Sequence, residues 1–209
     1  MTHRRPIIAL LVSSAVLMAV LVLLIGAGGS VGFNRAEWRH WTDADRDCQD
    51  TRQEVLIRDS QKPVLWREDE DEERHCEVAW GQWTDPWSGE ILNDPAHMDI
   101  DHHVPLAEAH RSGGVAWSAS RREAYANDLA YRSHLRATSA HTNRQKGDRG
   151  PDRWRPSRRE AWCEYALAYS AIKLIWGLSS QEAERLALRE MMRTCGDAST
   201  PTLLDPPAR

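Results

Sequence analysis

The stretch MDIDHHVPLAEAH, residues 98–110, ends a short alternating run with an aspartate and two adjacent histidines. The alternation predicts a strand over residues 99–102, and Pro105 ends it because proline cannot donate to a sheet ladder. Histidine is less often fully buried than the aliphatic residues, so two in a row are seldom needed for packing alone. The stretch therefore indicates a chemical role for one of the two histidines.

Two later segments carry polar residues at regular spacing. A second strand is predicted over 134–137 and a short helix over 139–146. His134 opens the strand, Asn143 lies nine residues after it, and Lys146 follows three residues later. The order is thus a strand ending in polar residues, a second strand, and a helix that carries an amide and a cation.

As a set, these segments resemble the HNH (ββα-metal) endonucleases. Their pattern is D-H-x-x-P, then an asparagine or histidine before an apolar residue, then nine residues on a histidine or asparagine, with lysine three later. The resemblance is greater to the branch typified by the C-terminal nuclease domain of the GmrSD restriction enzymes, which also occurs as exported stand-alone bacterial proteins. It extends over most of residues 34–178, including DPWSG, DIDHHVPLAEAHRSGG and NRQKGD. It implies an α+β fold with a ββα-metal core surrounded by helices.

The resemblance implies catalytic and metal-binding residues. One divalent cation, with Mg²⁺ the usual choice and Mn²⁺ an alternative, would be held by Asp101 and by the amide oxygen of Asn143. His102 would act as the general base on the attacking water. His134 takes the middle position, where many members carry asparagine, and would orient neighbouring groups; the alternative is an ordinary hydrogen-bonded strand histidine.

Other residues of these segments keep simpler interpretations. Lys146 and Arg144 would contact a substrate phosphate, yet the helix dipole alone favours cations near a helix C-terminus. His103 should turn to the face opposite His102 and serve in packing or at the surface. Glu108 is expected to be a hydrogen-bonding scaffold residue, and Asp99 a structural or solvated one.

The four cysteines are Cys48, Cys76, Cys163 and Cys195, and no two of them form a CxxC pair of the kind found in zinc knuckles. An even number in an exported chain indicates two disulfides. Three pairings are possible. We favour Cys48–Cys76 with Cys163–Cys195, because each closes a local loop; buried free thiols are the alternative.

The N-terminus has the pattern of an exported protein. The basic start MTHRRP precedes residues 7–27, which are apolar but for two serines. Such a run is long enough to span a bilayer and exceeds an ordinary signal core. We interpret residues 1–30 as a signal peptide or, preferably, an uncleaved membrane anchor, which places the rest outside the cytoplasm. Residues 31–196 then form the HNH-like domain, and 197–209 a disordered tail.

The charges are distributed unevenly along the chain. The formal net charge of −4 does not by itself indicate a nucleic-acid-binding protein. Acids crowd into residues 43–77, including EDEDEE at 68–73, whereas residues 99–160 hold twelve arginines and lysines against eight acids. A basic half around the candidate site suits a phosphate backbone. Arginine-rich helical surfaces without nucleic acid are common too.

Periodicity and turn residues predict the remaining elements. A hairpin should join CEVAWGQW to EIL around the turn DPWSG. Helices are expected over 47–58, 118–130, 162–176 and 180–193. The third should bury Trp162, Tyr165, Tyr169, Ile172 and Trp176. Gly177 should end it, and Ser179 with Glu182 should form a capping box for the next helix.

The implied function is an exported, metal-dependent endonuclease that hydrolyses DNA, or RNA as well, with little sequence specificity. Its partner is nucleic acid, and the membrane also if the N-terminal segment is uncleaved. One alternative is a catalytically silent HNH-like scaffold that binds an envelope partner or nucleic acid. Another is a zinc hydrolase using His102, His103 and His110, although the chain has no HExxH pattern.

Overall fold

The computed structural model describes residues 32–67 and 75–196. These residues contain six α helices and six short strands. The helices are α1 (Thr51–Asp59), α2 (Leu106–Arg111), α3 (Ala119–Ala126), α4 (Ala140–Lys146), α5 (Trp162–Trp176) and α6 (Glu182–Met192). The strands are β1 (Leu65–Trp66), β2 (Val78–Trp80), β3 (Trp83–Thr84), β4 (Ile91–Leu92), β5 (Met98–His102) and β6 (Leu135–Ser139). This content confirms the expected α+β class.

The strands pair into three separate two-stranded antiparallel sheets, β1–β2, β3–β4 and β5–β6. The hairpin predicted around DPWSG is confirmed for β3 and β4, where Trp83 pairs with Leu92 and Thr84 with Ile91. Strand β2 was expected in the same hairpin, and this part of the prediction is wrong, because β2 pairs with the preceding β1. So short a strand carries too little alternation to specify its partner.

Asp85 anchors the DPWSG turn to the start of α4. Its Oδ1 accepts hydrogen bonds from the backbone N–H of Trp87 at 2.8 Å and of Ser88 at 3.3 Å. Its Oδ2 accepts from the N–H of Ser139 at 3.1 Å. Because Ser139 is also the N-cap of α4, this buried carboxylate sets the position of α4 relative to the β3–β4 hairpin.

The hairpin β5–β6 and helix α4 form a continuous ββα unit. Its register runs from Met98 opposite Ser139 to His102 opposite Leu135. Helix α4 begins directly after β6, and the Ser139 side chain accepts a hydrogen bond from the N–H of Thr142 at 3.1 Å. Both predicted strands and the helix are confirmed, with ends within two residues of those expected. Helix α4 packs against both strands of the hairpin.

Two hydrophobic clusters form the core of the described part of the chain. The smaller one combines Met98 and Ile100 of β5 with Val55 and Leu56 of α1. The larger one is aromatic and receives the predicted stripe of α5, although two members of that stripe, Trp162 and Trp176, are only partly buried. Its fully buried large side chains include Trp38, Trp87, Tyr125, Tyr165, Tyr169 and Ile172. Each large buried side chain contributes about 1.5–3 kcal/mol relative to exposure.

The boundary between α5 and α6 differs in one detail from the prediction. Gly177 ends α5 in the left-handed conformation, φ 66°, as expected. The capping box of α6 is formed by Gln181 and Glu184, so the prediction of Ser179 with Glu182 is wrong by two residues. Ser179 is engaged elsewhere, since its N–H and its hydroxyl both donate to the carbonyl oxygen of Ser112.

The two predicted disulfides are confirmed, Cys48–Cys76 and Cys163–Cys195. The second joins the first turn of α5 to the residues that follow α6. Helices α5 and α6, which follow each other in the sequence, pack against each other. The disulfide therefore closes a unit that packing already brings together.

The chain divides into two units by its internal contacts, and the boundary between them lies directly after Gly32. The predicted N-terminal segment, the acidic run 68–73 and the C-terminal tail 197–209 lie outside the described residues. Within residues 32–67 and 75–196, no helix combines the length and the apolar character that a membrane crossing requires.

Candidate functional site

Successive side chains of β5 lie on opposite sides of the β5–β6 hairpin, as the strand pleat requires. Asp101 contacts helix α4 through Lys146. The ring of His102, one residue later, stacks on Trp41. The residues expected to act together therefore divide between two sides of one hairpin.

A backbone carbonyl orients His102. Its Nε2 lies 2.9 Å from the carbonyl oxygen of Ala126, the last residue of α3. Because a carbonyl oxygen only accepts hydrogen bonds, Nε2 carries the proton and donates it, and Nδ1 of the neutral ring keeps a lone pair. Burial holds the pKa of His102 well below its ordinary value, and the nearby His134 lowers it further. His102 thus has the tautomer and charge that a general base needs at neutral pH.

Aromatic rings surround His102. Trp41 stacks on it with centroids 5.6 Å apart, and Tyr125 lies nearly parallel at 6.5 Å. His134 meets it edge-on at 6.3 Å. These rings leave 5% of His102 exposed. They fix the plane of the imidazole.

His134 contacts His102 through ring packing. It also meets Tyr125 edge-on, with centroids 4.5 Å apart. Asp128 Oδ2 lies 3.7 Å from His134 Nδ1, beyond hydrogen-bond distance. Burial lowers the pKa of His134 to about 4, even though the Asp128 carboxylate acts in the opposite direction. His102 is therefore oriented by the hydrogen bond that it donates to the Ala126 carbonyl. His134 supports the His102 ring by packing against it.

Asp101 and Lys146 form a buried ion pair. Lys146 Nζ lies 2.7 Å from Asp101 Oδ1 and 2.9 Å from Oδ2, and it also donates to the carbonyl oxygen of His102 at 2.8 Å. Burial raises the pKa of Asp101 and lowers that of Lys146, and their mutual attraction opposes both shifts. Lys146 was expected at a substrate phosphate, but in this structure its ammonium group points inward and has no exposed surface.

Asn143 lies beside a different carboxylate. Its Nδ2 donates to Asp99 Oδ2 at 3.0 Å, and both side chains are partly exposed at the seam between β5 and α4. Arg144, the next residue, is exposed and borders a hollow of about 300 Å³ that His97 and His141 also line. Of the two residues expected at a substrate phosphate, Arg144 has the accessible cation.

His103 belongs to the aromatic core. It is completely buried, and its Nε2 donates to the carbonyl oxygen of Tyr165 at 2.9 Å. Trp87 meets the ring edge-on at 5.1 Å. Burial also holds the pKa of His103 well below its ordinary value. Of the two expectations for His103, packing or the surface, the structure shows packing.

The histidines of the zinc alternative do not converge. His102 and His103 donate to carbonyl oxygens on separate helices, α3 and α5. In the described part of the chain, one group of three histidine, cysteine or acidic side chains has ligand atoms close enough for a shared ion. It consists of the exposed loop residues Asp43, Asp45 and Asp47. This arrangement gives the zinc alternative no support.

Glu108 centres a second buried polar cluster. Its Oε1 accepts hydrogen bonds from Ser112 Oγ at 2.7 Å and Lys173 Nζ at 3.0 Å, and its Oε2 accepts from Arg111. Lys173 also donates to Glu184 at 2.7 Å. Burial acts to raise the pKa of Glu108, but the hydrogen bonds and cations outweigh it, and the pKa is lowered. The expected hydrogen-bonding scaffold role of Glu108 is confirmed.

Sequence reasoning missed several groups that contact His102, among them the rings of Trp41 and Tyr125 and the carbonyl group of Ala126. Trp41 precedes the helix predicted over 47–58 and was given no role, although an aromatic residue in a polar segment is a usable signal. Ala126 contributes a backbone carbonyl, which every residue has, so the residue type does not indicate this contact. Such a contact becomes visible only when α3 is placed against β5.

Comparison with known proteins finds similarity to an "Uncharacterized secreted protein" of Arthroderma benhamiae. The two sequences are 34% identical over 168 residues, which make up 80% of this chain and 78% of that protein. No family model matches the sequence, and no solved structure matches it. The secreted relative and the two disulfides are both consistent with an extracellular location.

Proposed function

The chain belongs to the same family as the secreted protein of Arthroderma benhamiae, and we propose that it is a secreted, metal-dependent endonuclease. Its substrate is the phosphodiester backbone of nucleic acid, DNA foremost, read with little sequence specificity. The proposal is supported by the ββα unit of β5, β6 and α4, which has the order of elements that the HNH resemblance implies.

The observation that carries the proposal is the hydrogen bond from His102 Nε2 to Ala126. It leaves Nδ1 as the free base, and burial keeps the ring neutral. Hydrolysis of a phosphodiester requires a base that takes a proton from the attacking water. His102 Nδ1 supplies that base at the end of β5, where the HNH pattern has its catalytic histidine.

A divalent cation suits the donors on the α4 side of β5. The resemblance implies Asp101 and Asn143 as the ligands, and Asp99 offers a second carboxylate beside Asn143. Carboxylate and amide oxygens are the ligands that Mg²⁺ and Mn²⁺ prefer. When bound, the cation supplies positive charge to the oxygen that leaves. Arg144 is placed to attract a neighbouring phosphate, because it is exposed beside the hollow lined by His97 and His141.

A plasmid-nicking assay on the disulfide-bonded protein tests the proposal. Wild type should nick supercoiled DNA with Mg²⁺ or Mn²⁺ and lose this activity in EDTA. His102→Asn should lower the rate by about 100- to 10,000-fold, the usual contribution of a general base. His75→Asn is the matched control, because His75 is an exposed histidine stacked on Trp66 and should keep the wild-type rate.

Two outcomes would contradict the proposal. One is a wild-type protein that cleaves neither DNA nor RNA with any divalent cation. The other is a cleavage rate that His102→Asn leaves unchanged while the thermal unfolding curve shows an intact fold.

Two observations favour the silent-scaffold alternative. Both carboxylate oxygens of Asp101 are bound by Lys146, and 5% of His102 is exposed. A scaffold of this kind would bind nucleic acid or an envelope partner without cleaving it. DNA binding that survives EDTA, together with a complete lack of nicking, would favour this second function.

A further inference from the structure

We propose that Asp99 and Asn143, rather than Asp101, are the protein ligands of the divalent cation. This inference rests on the proposed nuclease function for its biological meaning, but it concerns a binding site that can be measured without any cleavage. It differs from the arrangement that the HNH pattern implies, and it follows from how Asp101, Lys146 and Asp99 are placed.

Asp101 is already bound to a cation of the protein itself. Lys146 Nζ contacts both of its oxygens, and the same ammonium group is tied to the carbonyl oxygen of His102. The pair is buried, with Lys146 at 0% and Asp101 at 3% exposure. A cation that took over this carboxylate would leave the Lys146 ammonium unpaired in the interior, which is strongly unfavourable.

Asp99 lies on the same side of β5, two residues earlier, and its carboxylate is available. Its side chain is partly exposed, and its hydrogen-bond partner is the Asn143 amide at 3.0 Å. Within residues 32–67 and 75–196, no lysine, arginine or histidine forms an ion pair with it. Its negative charge therefore stands at the protein surface without a cation.

Asn143 can change from a donor to a ligand without a change of backbone. In the present hydrogen bond its NH₂ group faces Asp99. Turning the amide by a half-rotation about its last side-chain bond brings Oδ1 to that position, because the two ends of an amide have nearly the same shape. The pair then offers a carboxylate and an amide oxygen side by side.

Two oxygen ligands from the protein suit this class of ion. Mg²⁺ is usually held by one or two protein oxygens and keeps several waters, which substrate phosphate can replace. His97 and Arg144 line the neighbouring hollow and lie within two residues of Asp99 and Asn143 respectively. A phosphate on that side would meet the cation and these basic groups together.

The test is a titration of the full disulfide-bonded protein with Mn²⁺, followed by the electron paramagnetic resonance signal of free Mn²⁺. All variants carry Asp45→Asn, which removes the middle carboxylate of the exposed group Asp43, Asp45 and Asp47 as a competing site. Three variants are compared with the parent protein that carries Asp45→Asn alone. They are Asp99→Asn, the exchange Asp99→Asn with Asn143→Asp, and Asp101→Asn with Lys146→Met.

The exchange variant provides the matched control. Asp99→Asn should weaken Mn²⁺ binding by about tenfold or more, as loss of a ligand does. Adding Asn143→Asp restores one carboxylate and one amide at the same two positions, and binding should return to within about threefold of the parent. The third variant removes the buried pair as a unit, so the fold is kept and Mn²⁺ binding should persist.

Two results of the Mn²⁺ titration would overturn the inference. One is that Asp101→Asn with Lys146→Met abolishes binding while Asp99→Asn does not; the other is that the parent protein binds no Mn²⁺. These failures differ from failure of the nuclease proposal. If the protein binds Mn²⁺ through Asp99 but cleaves no nucleic acid, the metal site is supported and the nuclease proposal is contradicted. If the Asp99→Asn variant cleaves DNA at the normal rate, the nuclease proposal is supported and Asp99 is contradicted as a metal ligand.

Discussion

The ammonium group of Lys146 lies 2.7 and 2.9 Å from the two carboxylate oxygens of Asp101, in the interior of the protein. This contact joins the last residue of α4 to the end of β5. Two charges removed from water are stable only while they remain paired. The position of α4 on the hairpin therefore depends on this pair.

Lys146→Met should be strongly destabilising, because it leaves the Asp101 carboxylate buried without a partner. We expect the free energy of unfolding to fall by about 3–5 kcal/mol. Adding Asp101→Asn should recover a large part of that loss, since the second change removes the uncompensated charge. Urea unfolding of the two variants and wild type measures both effects. Equal stability of the single and double variants would show that the charges are not coupled.

The stability of the protein should fall as the pH is lowered from about 7 to about 5. His102, His103 and His134 are neutral in the folded state because burial lowers their pKa, in His134 to about 4. The unfolded chain protonates them near 6.5, so in this window it binds more protons than the folded state. Each histidine then contributes up to about 1.4 kcal/mol per pH unit.

Urea unfolding at several pH values tests this dependence. His134→Asn should flatten the slope, whereas His75→Asn, at an exposed position, should leave it unchanged. Asp101 acts in the opposite sense, because its pKa is raised above 3.8, which is why the comparison is best made above about pH 5. A stability that stays constant or increases on acidification would contradict the assignment of three buried neutral imidazoles.

Lys173→Met should destabilise the protein through the second buried cluster. Lys173 neutralises two carboxylates, those of Glu108 and Glu184. Without it the carboxylates repel each other, and we expect a loss of about 3–5 kcal/mol at neutral pH. The difference from wild type should shrink on acidification, as the carboxylates take up protons. A difference that does not vary with pH would indicate that the loss comes from packing alone.

Removal of the disulfide Cys163–Cys195 with paired alanine substitutions should lower the free energy of unfolding by about 3–4 kcal/mol, through the greater entropy of the unfolded chain. Its sequence separation of 32 residues is close to the 28 of Cys48–Cys76. Removal of the latter should therefore cost nearly the same. Chemical denaturation of both variants provides the comparison. An unchanged midpoint for either would show that its closed loop is already ordered in the unfolded state.

Much of the fold could be predicted from the sequence because the signals are local. Ser139 caps α4, Gly177 ends α5, and the alternation of β5 is complete within five residues. Both disulfides follow from the preference for local loops. The failures were also instructive, since the capping box moved to Gln181 and Glu184 when tertiary contacts engaged Ser179.

The candidate site was predictable as a list of residues more than as an arrangement. The HNH pattern pointed to Asp101, His102, His134 and Asn143. It did not indicate that Asp101 would pair with Lys146 or that Asn143 would face Asp99. A spacing pattern states which elements carry the residues, whereas the rotation of α4 about its axis decides which of them meet.

The sequence by itself determined the succession of strand, strand and helix from β5 to α4 and the α+β class, and it favoured the cysteine pairing that the structure shows. These depend on the strand pleat, capping and short loops, which act between near neighbours. Only the tertiary structure decided that the Ala126 carbonyl orients His102 and that Lys146 forms an ion pair with Asp101. Those contacts join residues 24 and 45 positions apart. They exist because burial of the aromatic core and of α1 against β5 brings distant polar groups together, where each must find a partner away from water.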